Sequence, residues 1–178
     1  MLNASGFELL SADIVPESLR RGNSLLVAAT PVTDRQPERM GDVETANYLA
    51  DIPDRLPHFA AEVAASLEQF RAYLAAGRSA GKRFAAYGAG GRGVIFLAMA
   101  EISNLDIQYV CDRNDALHGF ITPVTHIPVV APEQLTIDYV DEVIVFSTGY
   151  MREISEQLSE YQRLGGRLVS FLDLLAVS

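Results

Sequence analysis

Three glycines of this chain have the spacing of a phosphate-binding turn. Gly88, Gly90 and Gly93 form the pattern G-x-G-x-x-G, which follows a short apolar segment and precedes an apolar helical segment. In such a turn the first glycine permits the tight bend, the second lets a phosphate approach the backbone, and the third lets the helix pack closely on the strand. The free N–H groups and the positive end of the helix dipole then face the anion.

Two charged side chains extend the predicted site. Arg92 could add a charge-assisted hydrogen bond to a phosphate. Asp112 lies nineteen residues after Gly93, at the end of the next predicted strand, where its carboxylate could accept a hydrogen bond from a ribose or sugar hydroxyl. A glycine-rich turn kept for packing alone is the alternative interpretation of the motif.

Three loops are expected to meet at one edge of a parallel sheet, because ligands in open α/β sheets gather at the carboxyl ends of the strands. These loops are Gly88 to Arg92, Asp112-Arg113 and Ser147 to Tyr150. The residues predicted to bind substrate are Gly88, Ala89, Gly90, Gly91, Arg92, Gly93, Asp112, Arg113, His118, Thr148, Gly149 and Tyr150. No catalytic residue is predicted, since no convincing acid–base pair or nucleophile motif is found.

The elements that must position these loops alternate between strands and helices from Lys82 to Leu175. The apolar segments predicted as strands are residues 83–87, 107–111, 127–130, 143–146 and 168–171. The segments predicted as helical are residues 94–102 and 151–164, with a single turn at 132–135. This alternation predicts a Rossmann-like parallel sheet with helices on both faces and with the 83–87 strand at its centre.

The N-terminal third of the chain has a different pattern. Residues 1–30 predict a β-hairpin, and residues 31–57 have the proline-rich composition of a linker. Pro57 then opens a predicted helix that ends at Gly77 and leads into a ligand-binding domain of residues 58–178. The apolar stripe of this helix consists of Phe59, Val63, Leu67, Phe70 and Leu74. We interpret the stripe as core packing, with dimerisation as the alternative.

Composition excludes several classes of function. The net charge of −9 argues against nucleic-acid binding, which usually requires a basic face. A single cysteine, Cys111, excludes a disulfide framework within the chain and predicts a reducing, cytoplasmic environment. No apolar run approaches the roughly 20 residues that span a membrane. His118 and His126 have no carboxylate at metal-ligand spacing, so no metal site is predicted.

From Phe59 to Leu175 the chain resembles the C-terminal domain of S-adenosylmethionine-dependent sugar C-methyltransferases. The order of several short pieces carries this resemblance. They are Gly81-Lys82-Arg83, Tyr87-Gly88-Ala89, Arg92-Gly93, Tyr109-Val110-Cys111-Asp112, His118-Gly119, Thr122-Pro123, Thr125 to Val129, and the strand and helix from Glu142 to Gly166. Residues 2–30 are similar to the closing hairpin of a class I methyltransferase domain.

The resemblance implies a role in binding the nucleotide-sugar substrate, in deoxysugar biosynthesis. It also implies that S-adenosylmethionine binds to an upstream catalytic part, so that this chain carries no cofactor and is not catalytically complete. A catalytic methyltransferase chain or a second copy of this chain is the expected macromolecular partner. The chain departs from the family at four places. Arg92 and His118 replace a lysine, Val124 replaces a glycine, and the run Ser147 to Tyr150 stands where the family often has an asparagine.

Two other functions remain compatible with the sequence. The glycine turn and Asp112 also suit an independent NAD(P)-binding module, such as a redox sensor or part of an oxidoreductase. A non-catalytic assembly subunit, with the helix from Phe59 to Leu74 as its interface, is the third possibility. A titration with a nucleotide sugar and with NADH separates the three.

Overall fold

The structure of the chain is a computed structural model that describes residues 6–14, 25–32 and 52–175. The chain divides into two units, residues 1–59 and 60–178. The first contains an antiparallel hairpin and the second a five-stranded parallel sheet. The predicted α/β class is therefore confirmed. Residues 33–51, most of the predicted linker, lie outside the described residues. In the described part of the chain, no helix is both long and apolar enough to cross a membrane.

The hairpin consists of β1 (Phe7–Ile14) and β2 (Leu25–Pro31), which pair antiparallel. A β-bulge between Leu9 and Ser11 shifts the register. Leu10 and Leu26 are 65% and 63% exposed, so the hairpin does not bury its own largest apolar side chains. A two-stranded ribbon of this kind is marginally stable in water.

The sheet of the second unit is entirely parallel, and its strand order is β5-β4-β3-β6-β7. Its strands are β3 (Phe84–Tyr87), β4 (Val110–Cys111), β5 (Val129–Val130), β6 (Glu142–Val145) and β7 (Arg167–Ser170). β3 pairs with both β4 and β6, so the predicted central strand is confirmed. The chain leaves β3 in one direction and later returns on its other side, and open sheets of this order bind ligands at that point of reversal.

Helices cover both faces of this sheet, as alternating strands and helices require. They are α1 (Ile52–Ser79), α2 (Gly91–Met99), α3 (Gln134–Ile137), α4 (Met151–Gln157) and α5 (Ser159–Arg163). One core, which includes Phe70 of α1 and Leu97 of α2, fills one face. A second core, which includes Leu135, Ile154 and Tyr161, joins α3, α4 and α5 to the other face.

Helix α1 begins at Ile52, five residues before the predicted start at Pro57. Pro57 lies inside the helix, where its missing N–H removes one intrahelical hydrogen bond without ending the helix. The stripe is interpreted correctly in its second half, because Phe70 and Leu74 are almost fully buried. Phe59, the first residue of the stripe, is 61% exposed.

The predicted end of α1 at Gly77 is wrong, because the helix continues to Ser79. Gly81 has a φ of +82° and closes the helix, with hydrogen bonds from the Gly81 N–H to Arg78 O and from the Lys82 N–H to Gly77 O. Gly77 has a packing role instead. A Cβ at this position would collide with the ring of Phe84, so glycine lets α1 lie close to the central strand.

Two other helix boundaries differ from the sequence prediction. α2 begins at Gly91 rather than Val94, because the Val94 N–H already donates to Gly90 O at 3.1 Å. The predicted helix of residues 151–164 is divided at Leu158 into α4 and α5. Its predicted termination by glycine is confirmed, since Gly165 has a φ of +101° and follows the last helical turn.

Candidate functional site

The three loops that the sequence places at the carboxyl edge of the sheet are joined there by hydrogen bonds. The Gly88 N–H donates to Cys111 O at 2.8 Å, and the Ala89 N–H donates to Asp112 Oδ2 at 2.7 Å. The Phe146 N–H donates to Tyr87 O at 3.0 Å and fixes the start of the third loop. The predicted convergence of the three loops is therefore observed.

The outer glycines of the motif are required by packing. Gly88 has a φ of +102°, and a Cβ there would collide with the hydroxyl of Ser147. A Cβ on Gly93 would lie 2.7 Å from Gly88 O and 3.0 Å from the ring of Phe146. Glycine at these two positions lets the turn and α2 approach the sheet closely, as the motif predicts.

The inner glycines of the motif face open space. A Cβ built on Gly90 or Gly91 would meet no atom within 4 Å, and Gly90 has an ordinary extended φ of −74°. The N–H groups of Gly91, Arg92 and Gly93 lie in the first turn of α2 and have no hydrogen-bond acceptor among the described residues. Backbone donors at the positive end of a helix dipole form a site that favours an anion.

The carboxylate of Asp112 connects two loops through backbone hydrogen bonds. Its two oxygens already accept backbone hydrogen bonds, from Ala89 at 2.7 Å and from Asn114 at 2.8 Å. These bonds hold the glycine turn against the next loop. The contact with a sugar hydroxyl stays a prediction, because each carboxylate oxygen has a second lone pair that can accept a hydrogen bond. His118 also acts on this loop, since its Nε2 lies 2.8 Å from Asp112 O.

A cleft of about 240 Å³ opens between the carboxyl edge of the sheet and α4. The side chains that line it are Tyr87, Asp112, Arg113, Ser147, Tyr150, Glu153, Ile154 and Gln157. Of the twelve predicted residues, Asp112, Arg113 and Tyr150 line the cleft. Thr148 and Gly149 form the short 3₁₀ turn that leads into α4, and Gly90 to Arg92 lie outside the cleft lining. The site thus has two neighbouring parts, the glycine turn and the cleft.

Five residues of the cleft are absent from the predicted set. One of them, Ser147, begins a loop that the sequence places at this edge, and the other four were not predicted from the sequence. They are Tyr87, Glu153, Ile154 and Gln157. The last three follow Tyr150 at helical spacings of three, four and seven, which place them on one face of α4. That spacing is the signal by which the sequence could have identified them.

Two buried groups near the site remain uncharged at neutral pH. Burial is the main cause that raises the pKa of Tyr87 to about 12, and the Tyr87 hydroxyl donates to Gln157 Oε1 at 2.8 Å. Burial likewise raises the pKa of the Cys111 thiol to about 12, which disfavours the reactive thiolate. In residues 6–14, 25–32 and 52–175, no group of three or more potential ligand side chains could hold a metal ion.

Comparison with known proteins gives two matches. Residues 21–172, most of the chain, match the family described as the C-methyltransferase C-terminal domain. A stretch of 89 residues is 30% identical to the C-methyltransferase NovU of Streptomyces niveus. That stretch covers 50% of this chain and 21% of NovU, so the chain matches about a fifth of that relative's length.

Proposed function

Because the chain belongs to the C-methyltransferase C-terminal domain family, as its sequence resemblance predicts, we propose that it binds the nucleotide-sugar substrate of an S-adenosylmethionine-dependent sugar C-methyltransferase. The observation that carries this proposal is the open glycine turn at the N-terminus of α2. There, space above Gly90 and Gly91 coincides with unpaired donors on Gly91, Arg92 and Gly93.

The diphosphate of the substrate is the group that this turn suits best. Three adjacent backbone N–H groups can bind phosphate oxygens, and the helix end favours negative charge by about 0.3–1 kcal/mol per exposed site. Arg92 is exposed beside them and can add a charge-assisted hydrogen bond. The overall charge of −9 is no obstacle, because these donors act locally.

The bonding of Asp112 favours a nucleotide sugar over a dinucleotide. In dinucleotide-binding folds, the acidic residue at the end of the second strand receives the ribose hydroxyls. Here both oxygens of that carboxylate accept backbone N–H groups. Only the remaining lone pairs of this carboxylate are open to the ribose hydroxyls of NADH, so we expect NADH to bind more weakly than a nucleoside diphosphate sugar.

Methyl transfer itself is assigned to other parts of the enzyme. S-adenosylmethionine supplies the methyl group there, and the residues of this chain hold the substrate. Calorimetry of this chain with S-adenosylmethionine should give no saturable heat. Micromolar binding at the glycine turn would contradict the assignment of that turn to substrate.

A titration with nucleoside diphosphate sugars tests the proposed function. Gly90→Val places a branched side chain where the phosphate approaches, and it should lower affinity at least about tenfold, or about 1.4 kcal/mol. Since Gly90 has a negative φ and open surroundings, the variant should fold like the wild type, which circular dichroism checks. If the wild type binds no nucleotide ligand, or if the folded variant binds like the wild type, the turn serves packing only.

A further inference from the structure

The cleft beside the glycine turn is smaller than the usual site of a drug-sized ligand. Clefts that enclose a drug-sized ligand measure roughly 300–1,000 Å³, whereas this one has a volume of about 240 Å³. It therefore accommodates one ring of the ligand. Its neighbour, the glycine turn, is connected to it through Asp112, which lines the cleft and accepts the Ala89 N–H.

The charges around the cleft disfavour a phosphate inside it. Asp112 and Glu153 bring two carboxylates, whereas Arg113 brings one cation. A diphosphate placed there would meet a lining with one more carboxylate than cations, and bringing like charges together is unfavourable. The lining of the cleft therefore suits a neutral group better than a phosphate.

Tyr87 and Gln157 give the cleft a fixed hydrogen-bond pattern. The Tyr87 hydroxyl donates to Gln157 Oε1 at 2.8 Å. Burial raises the pKa of Tyr87 to about 12 against the opposing charge of Arg113, so the phenol is a donor at neutral pH. With its oxygen engaged, the Gln157 amide offers its NH₂ group, which has no acceptor within the described part of the chain.

We propose that this cleft binds the nucleobase of the nucleotide sugar and that Gln157 determines base specificity by donating to a ring carbonyl. The proposal rests on the proposed function. The phenol ring of Tyr150 and the planar guanidinium of Arg113 can stack on a flat base, and Ile154 adds apolar surface. A base with ring carbonyls, such as uracil, offers the Gln157 amide a stronger acceptor than adenine, which has only ring nitrogens as acceptors.

Calorimetric titration with UDP and ADP tests this assignment. The wild type should bind UDP about tenfold more tightly than ADP, because a uracil carbonyl accepts the hydrogen bond of Gln157 better than a ring nitrogen of adenine does. Gln157→Glu keeps an acceptor for the Tyr87 hydroxyl but removes the donor. It should abolish the preference for UDP. The added charge repels both diphosphates equally, so the ratio of the UDP affinity to the ADP affinity is independent of that repulsion.

Gln162→Glu is the matched control. The Gln162 side chain also accepts a hydroxyl hydrogen bond, from Ser155 at 3.1 Å, but it does not line the cleft. This variant should keep the ratio of the wild type. If Gln157→Glu has the same ratio of UDP to ADP affinity as the wild type, the base assignment is wrong. The proposed function would still stand in that case, provided that UDP and pyrophosphate bind.

Two further titrations separate the remaining outcomes. If Gln157→Glu lowers the affinity for glucose 1-phosphate and leaves that for UDP unchanged, the sugar occupies the cleft and the proposal is wrong. If neither UDP nor pyrophosphate binds to the wild type, the proposed function fails, and the base assignment fails with it.

Discussion

The two edges of the parallel sheet differ in whether their polar groups have hydrogen-bond partners within the described part of the chain. At the amino edge, the buried carboxylate of Glu142 accepts hydrogen bonds from Lys82 at 2.6 Å, from Arg167 at 3.2 Å and from the hydroxyl of Tyr73. At the carboxyl edge, the first turn of α2 has backbone donors that no described residue accepts. The amino edge is thus internally paired, and the carboxyl edge has capacity for a ligand.

Because of this difference, we expect the amino edge of the sheet to contribute to stability and the carboxyl edge to bind a ligand. Cations at the amino edge are already engaged: Lys82 pairs with Glu142, and Arg83 pairs with Asp138 at 2.5 Å. A phosphate there would have to break those pairs, whereas at the carboxyl edge it would meet donors that are free among the described residues. Substitutions at the amino edge should therefore change the free energy of unfolding, and substitutions at the inner glycines should change affinity.

The largest expected effect is a loss of folding stability on substitution of Gly93, which lies at the carboxyl edge but is required for packing. Gly93→Ala places a Cβ 2.7 Å from Gly88 O, a backbone atom that cannot move away cheaply. We expect a loss of about 3 kcal/mol in the free energy of unfolding, at the upper end of overpacking costs. Urea denaturation followed by circular dichroism measures it.

Gly91→Ala is the control for this prediction. It lies in the same helical turn, but its Cβ would meet no atom within 4 Å. Stability should stay equal or rise slightly, because alanine restricts the unfolded chain more than glycine does. Equal destabilisation by the two substitutions would show that the outer and inner glycines do not differ in role.

Glu142→Gln should destabilise the amino edge by a smaller amount. The glutamine can keep hydrogen bonds but loses the charge that pairs with Lys82 and Arg167, which are 43% and 65% exposed. Because those partners can be solvated, we expect about 1–2 kcal/mol, less than for a fully buried pair. Nucleotide affinity should not change, since Glu142 lies at the opposite edge. A variant as stable as the wild type would mean that the cluster contributes nothing.

The pH dependence of stability in the wild type and in Glu142→Gln is a second test of the amino edge. Burial alone would raise the pKa of Glu142, but the hydrogen bonds from Lys82 and Tyr73 and the charge of Arg167 hold it below its usual value. A lowered folded-state pKa stabilises the protein above the unfolded value of about 4.3, and this contribution disappears as the pH falls through the folded pKa. The stability difference between wild type and Glu142→Gln should therefore shrink under acid. A difference that persists at low pH would contradict the ionic origin.

The sequence predicts the sheet well because its apolar strands are separated by helical segments and glycine turns. Helix ends are predicted less well, and α1 shows why. Gly77 resembles a helix stop, yet its actual role is to make room for Phe84, a residue that contacts it only in the folded chain. The positive φ of Gly81, four residues later, ends the helix. Nothing in the sequence distinguishes a glycine needed for conformation from one needed for space.

The candidate site shows the same limit. The glycine turn is found from its motif, because phosphate binding requires particular glycines in a particular order. The cleft has no such motif, because Tyr87 and Gln157 meet only when α4 packs on the sheet. The bonding of Asp112 to two backbone N–H groups is likewise visible only in the structure.

Arg92→Ala should have the smallest effect and should act on binding alone. The side chain is exposed in the first turn of α2 and has no hydrogen bond or ion pair with another described residue, so stability should not change. One charge at a wet surface contributes little, and we expect affinity for a nucleoside diphosphate to fall about threefold, or about 0.7 kcal/mol. Because salt screens this charge, the loss of affinity should be larger at low ionic strength and shrink as salt is added.

Calorimetric titrations at two salt concentrations measure this loss. Arg152→Ala is the control, since Arg152 is an exposed arginine on α4 that does not line the cleft. An equal loss in both variants would indicate that only the general charge of the protein matters, and that the carboxyl edge has no localised anion site.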